Sequence, residues 1–180
     1  MPNVAVIYFS GAGATRVVAE AVCQGAAEVG ECQLYEIVGS DINEGRWQND
    51  EIATALDAAD AIIFGTPTYM GDVSAQLKSF FDAMAPRWYA QAWNGKIGGA
   101  FTVSAKHSGD KLNCLQSIFT FAMQMGMVWV GTGIGPSLDY TPDGYYIGHG
   151  ATAMAPDAVT EIDLNTAQHL GKRIAESVVG

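Results

Sequence analysis

The chain has 180 residues, 49% of them hydrophobic, with nine Lys+Arg against nineteen Asp+Glu and a formal net charge of −10. That length predicts a single domain over residues 1–180, able to bury roughly 70% of the surface its unfolded chain exposes. The charge argues against nucleic acid and anionic membrane surfaces as partners and favours basic redox proteins or neutral small molecules. The cysteines, Cys23, Cys32 and Cys114, are odd in number and lack C-x-x-C spacing. This argues against a disulfide framework or zinc site and for a reducing compartment, the cytoplasm. The opening MPNVAVIYFSGAG has no basic n-region, and its apolar run is too short for export or for spanning a membrane.

Val4 to Phe9 is a nearly continuous apolar run ending at Ser10-Gly11-Ala12-Gly13, the pattern of a buried parallel strand. Ala14 to Val29 carries Val17, Val18, Ala21 and Val22 between polar residues, which predicts a helix stopped by Gly30. Gln33 to Val38 reads as a second strand, and Glu51 to Ala59 as a short helix after a polar, turn-rich stretch. Ala61 to Gly65 is the third strand, running into Thr66-Pro67-Thr68-Tyr69-Met70-Gly71. The helix from Ser74 to Met84 places Leu77, Phe80, Phe81 and Met84 on one side. Lys96 to Val103 is a fourth strand, where Gly98-Gly99 implies close backbone approach. A helix from Asp110 to Met125 leads to a fifth strand, Met127 to Val130. Gly131 to Pro156 is irregular and rich in Gly, Pro and Tyr, and a helix from Asp157 to Val178 closes the chain. Strands alternating with helices in this way predict a doubly wound parallel sheet.

In such sheets ligands bind beyond the carboxyl ends of the strands. Three strand-to-helix loops on that edge are unusual in composition. In the first, Ser10-Gly11-Ala12-Gly13-Ala14-Thr15, small residues let backbone N–H groups approach an anion at a helix N-terminus. The same residues also suit an ordinary tight turn with an N-cap. It is not the dinucleotide fingerprint, because Arg16 replaces the third glycine and Glu36 only approaches the acidic position; nor is it a P-loop. A monophosphate suits it better.

YFSGAGAT, GTPTYMGDVSAQLKSFFDA and NGKIGGAFTVSAKHSG, in this order, resemble the flavodoxin-like NAD(P)H:quinone oxidoreductases of the WrbA type, and the similarity runs through essentially the whole chain. Its most specific part is Gly65 to Asp82. The resemblance implies an α/β flavodoxin-like three-layer sandwich: a five-stranded parallel sheet of order 2-1-3-4-5 with helices on both faces. It implies bound FMN, with NAD(P)H as electron donor and a quinone or similar small molecule as acceptor. Ser10 to Thr15 would hold the phosphate. Pro67, Thr68, Tyr69, Met70 and Gly71 would flank the isoalloxazine ring. Thr102, Val103, Ser104, Ala105, Lys106, His107 and Ser108 would wrap its pyrimidine edge and the ribityl chain. Trp88 would line the substrate pocket, although packing beneath a loop would equally explain it. No metal site and no side-chain nucleophile or base is expected, because the cofactor carries the chemistry.

Two departures stand out. The third loop, usually Gly-rich, reads TVSAKHSG, which makes Lys106 and His107 local additions: candidates for a cofactor phosphate or the flavin edge, or a solvent-facing turn. Met125 stands where many relatives carry a histidine. The segment from Gly39 to Asp60 looks short, so homodimer and homotetramer both stay open, and Asp139 to Tyr146 is a candidate to cover a neighbouring subunit's site. The alternatives to an enzyme are a flavodoxin-type electron carrier acting with protein partners, and a regulatory module without catalysis.

Overall fold

The computed structural model describes residues 1–134, 139–140 and 145–180. β1 (Asn3–Tyr8) leads through the glycine loop into α1 (Ala14–Ala27), and β2 (Glu31–Glu36) follows two residues earlier than its apolar pattern predicts. A 3₁₀ turn (Gly39–Asp41) and the small hairpin β3 (Ile42–Asn43) and β4 (Arg46–Trp47) precede α2 (Asp50–Ala58), whose N-cap Asn49 accepts from the Ile52 N–H. β5 (Ala61–Tyr69) is longer than its apolar core and turns back into β6 (Asp72–Val73). α3 (Ala75–Ala83) starts where predicted, its N-cap Ser74 accepting from Leu77, and α4 (Ala85–Tyr89) follows at once. β7 (Ile97–Ser104), α5 (Lys111–Gln124), β8 (Val128–Trp129), β9 (His149–Thr152), a 3₁₀ turn (Pro156–Ala158) and α6 (Glu161–Val179) complete the chain.

The sheet runs β2-β1-β5-β7-β8 with parallel neighbours, the flavodoxin-like order expected. Among the described residues it has seven strands rather than five: β6 pairs antiparallel with β5, and β9 pairs parallel with β7. β8 borders only Ile97 and Gly98, whereas β9 borders Phe101 to Ser104. Two short strands therefore share the fifth position, and the chain leaves the sheet between them. His149-Gly150-Ala151-Thr152 has neither apolar alternation nor β-branched density, so nothing local marks it as a strand. Its pairing to β7 corrects the reading of this stretch as wholly irregular.

Alternation along the strands divides the core. Ala5, Ile7, Ile62 and Phe64 pack with Leu77, Phe80, Trp93 and Ile118 on one face. Val4, Val6, Ile63 and Phe101 meet Val18, Val22, Leu170 and Ile174 on the other. The approach predicted at Gly98-Gly99 is real at Gly99, where a Cβ would overlap the Ile174 side chain of α6. The cysteines differ from expectation. Cys23 on α1 and Cys32 on β2 are joined as a disulfide with Cα atoms 5.6 Å apart, and Cys114 alone is a free, buried thiol. The turn at Gly30 folds β2 back beside α1 and brings together two cysteines that sequence spacing does not pair.

Candidate functional site

At the carboxyl edge the three loops converge on a cradle of about 240 Å³ lined by Ala12, Ala14, Thr15, Pro67, Thr68, Tyr69, Val103, Ser104, Ala105, Ala153 and Met154. Of the first loop, Ala12, Ala14 and Thr15 form wall, while Ser10, Gly11 and Gly13 shape the turn behind it. Ser10 Oγ accepts from the Arg16 N–H at 3.2 Å. Gly13 has φ +95°, and a Cβ there would stand 2.7 Å from Pro156 Cγ; one on Gly11 would overlap the Tyr69 hydroxyl. The N-cap of α1 is Gly13, which has no side chain to offer, and the first turn carries no acid; of its first three N–H groups a side chain takes only that of Arg16. The N-terminus of a 14-residue helix with a glycine N-cap, reached over Gly11 and Gly13, fits a phosphomonoester.

Arg16 stands where a dinucleotide site would need its third glycine, Glu36 lies near the acidic position, and the two bind each other. Arg16 Nη2 lies 2.8 and 2.6 Å from the two Glu36 carboxylate oxygens. The Glu36 hydrogen bond raises the Arg16 pKa. Tyr8, beneath this pair, has its phenol raised first by burial and then by the Glu36 charge.

The second loop begins later than the strand end predicted at Gly65. Pro67 lies within β5, opposite Val103 of β7, and the reversal falls at Met70-Gly71. Both have positive φ, 50° and 83°, as the twist of a two-residue hairpin requires. Met70 is fully exposed at the tip, and Tyr69, 47% exposed, lies across Gly11. Hydroxyls brace the base: Ser74 N–H donates to Thr66 Oγ1 at 3.1 Å, and Thr68 Oγ1 and Thr102 Oγ1 are 2.7 Å apart. Thr102 is fully buried, donates to the Thr66 carbonyl at 2.8 Å and braces the strands instead of lining the cradle. Asn113 Nδ2 donates to the Gly71 carbonyl at 2.9 Å and so ties α5 to the hairpin.

In the third loop Val103, Ser104 and Ala105 reach the cradle, whereas Lys106, His107 and Ser108 are exposed and outside its wall. Ser104 Oγ donates to the Lys106 carbonyl at 2.6 Å. Tyr145 Oη, from the stretch between β8 and β9, lies 3.3 and 3.2 Å from the carbonyls of His107 and Ser108, its acceptors. Of the stretch singled out as a cover, Thr141 to Gly144 lie outside the described residues. Ala153 and Met154 are wall residues the sequence did not mark; they reach the site only because β9 pairs with β7.

Trp88 is not in this cradle. It is 43% exposed on α4 and lines a separate apolar groove of about 400 Å³ with Val73, Phe81, Met84, Phe121 and Met125. The two sites share no lining residue and meet only through the hairpin, Thr68-Tyr69 on one side and Asp72-Val73 on the other. Met125 is buried at the end of α5. Cys114, behind Thr102, has its thiol pKa raised by burial. Among the described residues no helix is long and apolar enough to cross a membrane.

A doubly wound sheet whose glycine loop, hairpin and third loop form one cradle defines a flavodoxin-like mononucleotide-binding protein. Residues 2–135 match the model of the NADPH-dependent FMN reductase family, and the chain belongs to that family. It is 34% identical to an NAD(P)H dehydrogenase (quinone) of Caulobacter vibrioides, with 99% of this chain and 98% of that one aligned. It is 41% identical to flavodoxin FldP of Pseudomonas aeruginosa over 138 residues, covering 76% of this chain and 70% of the relative. The crystal structure of a WrbA-like flavodoxin from Agrobacterium tumefaciens superposes with a TM-score of 0.81 at 41% identity, covering 99% and 98% of the two chains.

Proposed function

We propose that this protein is an FMN-dependent oxidoreductase that passes two electrons from NAD(P)H to a quinone-like small molecule, built as a single domain over residues 1–180. The observation that carries the reading is the meeting of the three loops in one cradle at the carboxyl edge. When bound, FMN supplies the two-electron chemistry between donor and acceptor. The chain's own part is to hold and orient it. The glycine-capped start of α1 and the backbone of Ser10 to Thr15 take the phosphate. Pro67 to Gly71 flank the ring, Tyr69 offering a flat surface. Thr102 to Ser108 hold the pyrimidine edge, Val103 to Ala105 as wall and Thr102 as brace. Lys106 and His107 remain open to solvent, where they suit an incoming phosphate of the dinucleotide.

Trp88 serves the acceptor where a neighbouring copy brings its groove to a cradle, so we infer a homodimer or homotetramer; sedimentation velocity measures this directly. The cytoplasm is inferred from the NAD(P)H donor, since the cysteines no longer argue for it. The test is turnover. FMN-loaded protein is mixed with NADH or NADPH and benzoquinone, and nucleotide oxidation is followed optically. Rapid oxidation dependent on both FMN and quinone is expected, and none with either nucleotide sinks the reading. The resemblance to a flavodoxin and the net charge of −10 favour a second reading, an electron carrier docking basic proteins. A stable one-electron state during stepwise reduction would mark that role.

A further inference from the structure

Lys111, the first residue of α5, has no exposed surface. Its Nζ donates to the carbonyls of Gly150 at 3.3 Å and Ala151 at 3.1 Å and to Thr152 Oγ1 at 2.5 Å, and it lies 5.8 Å from the centre of the Tyr145 ring. Neither packing nor helix formation asks for a lysine here. A methionine or leucine would fill the space without stripping an ammonium of water. A cation in the first turn also opposes the helix dipole.

The place of the charge supplies a reason. Thr152 stands opposite Ser104 in the β7–β9 register, and Ser104 and Ala153 are wall of the cradle. Tyr145, which flanks the ammonium, is held by the carbonyls of His107 and Ser108. The ammonium therefore sits directly behind the third loop. We propose that Lys111 sets the reduction potential of bound FMN by favouring the reduced, negatively charged ring over the oxidised, neutral one. The inference rests on the FMN reading above, with the pyrimidine edge against the third loop. On reduction the flavin takes up two electrons and one proton, from NAD(P)H or dithionite, and its ring gains one net negative charge. A fixed cation in a poorly solvated place stabilises that charge without rearranging.

The experiment compares affinities of the full chain for oxidised FMN and for dithionite-reduced FMN, together with the two-electron midpoint potential. Lys111→Met should keep oxidised FMN affinity within threefold and weaken reduced FMN at least tenfold, a fall of about 30 mV for a two-electron couple. Lys111→Arg should restore the wild-type ratio. Thr152→Asp, which leaves Lys111 in place but sets a carboxylate against it, should shift the potential in the same direction as Lys111→Met. It carries the test if Lys111→Met fails to fold. Equal losses of both affinities, or an unchanged potential in FMN-loaded Lys111→Met or Thr152→Asp, would overturn the proposal. A wild-type chain that binds no FMN overturns the reading beneath it.

Discussion

Gly13 joins two constraints at one residue. Its φ of +95° lies in the left-handed region, and the Pro156 ring occupies the space a side chain would need. Replacing it with alanine imposes backbone strain of about 1–3 kcal/mol and pushes the turn away from Pro156. Gly13→Ala should therefore lower the thermal midpoint and weaken FMN retention together, as read by calorimetry and by flavin fluorescence. A midpoint unchanged from wild type would contradict this. Tyr8 lies under the same loop and its phenol is raised by burial and by Glu36. A raised folded pKa means that the folded state holds its proton longer than the unfolded state. Its stabilising effect is complete below the ordinary tyrosine value of about 10 and is lost as pH rises through the folded value. Tyr35 and Cys114 shift in the same direction, so stability should fall in alkali, and Tyr8→Phe should make that fall shallower in urea titrations across this range.

At the scale of elements, α4 is five residues long and depends on its neighbours for position. Asp57, in the last turn of α2, accepts from Arg87 Nε at 2.9 and 3.1 Å and from the indole N–H of fully buried Trp93 at 2.8 Å. Lys96 Nζ meets the carbonyls of Asp57 and Ala59 nearby. Asp57→Ala strands the buried indole donor, at a cost of about 1–3 kcal/mol, while Arg87, 23% exposed, turns to water. The urea midpoint should drop accordingly, and Trp88 emission should move as α4 loosens; an unaltered midpoint would show that the indole finds another acceptor. The hairpin between β5 and β6 illustrates how local pattern misleads. The apolar run ends at Gly65, but Pro67 continues the strand opposite Val103 and leaves the reversal to Met70 and Gly71.

For the whole molecule the net charge of −10 opposes an incoming phosphate that carries nearly two negative charges. Screening shortens the reach of that field from about 30 Å at 0.01 M salt to about 10 Å at 0.1 M. FMN association should accelerate severalfold over this range in stopped-flow quenching, and a slowing would show that the local field at α1 dominates. The sequence by itself determined the alternation of strands and helices, hence a doubly wound parallel sheet, and the glycine loop between β1 and α1. Continuous apolar runs, apolar stripes of period 3.6 and the glycines between them are local properties that leave a direct mark on the chain. It also carried the family, through the Gly65–Asp82 motif. Only the tertiary structure decided that β9 completes the sheet and brings Ala153 and Met154 to the cradle, because a four-residue strand of small and polar residues is specified by its partner. The same holds for the Cys23–Cys32 bond, for Trp88 lying in a groove of its own, and for the burial of Lys111. Each is fixed by contacts between segments far apart in the sequence or reversed by a turn, which no local period records.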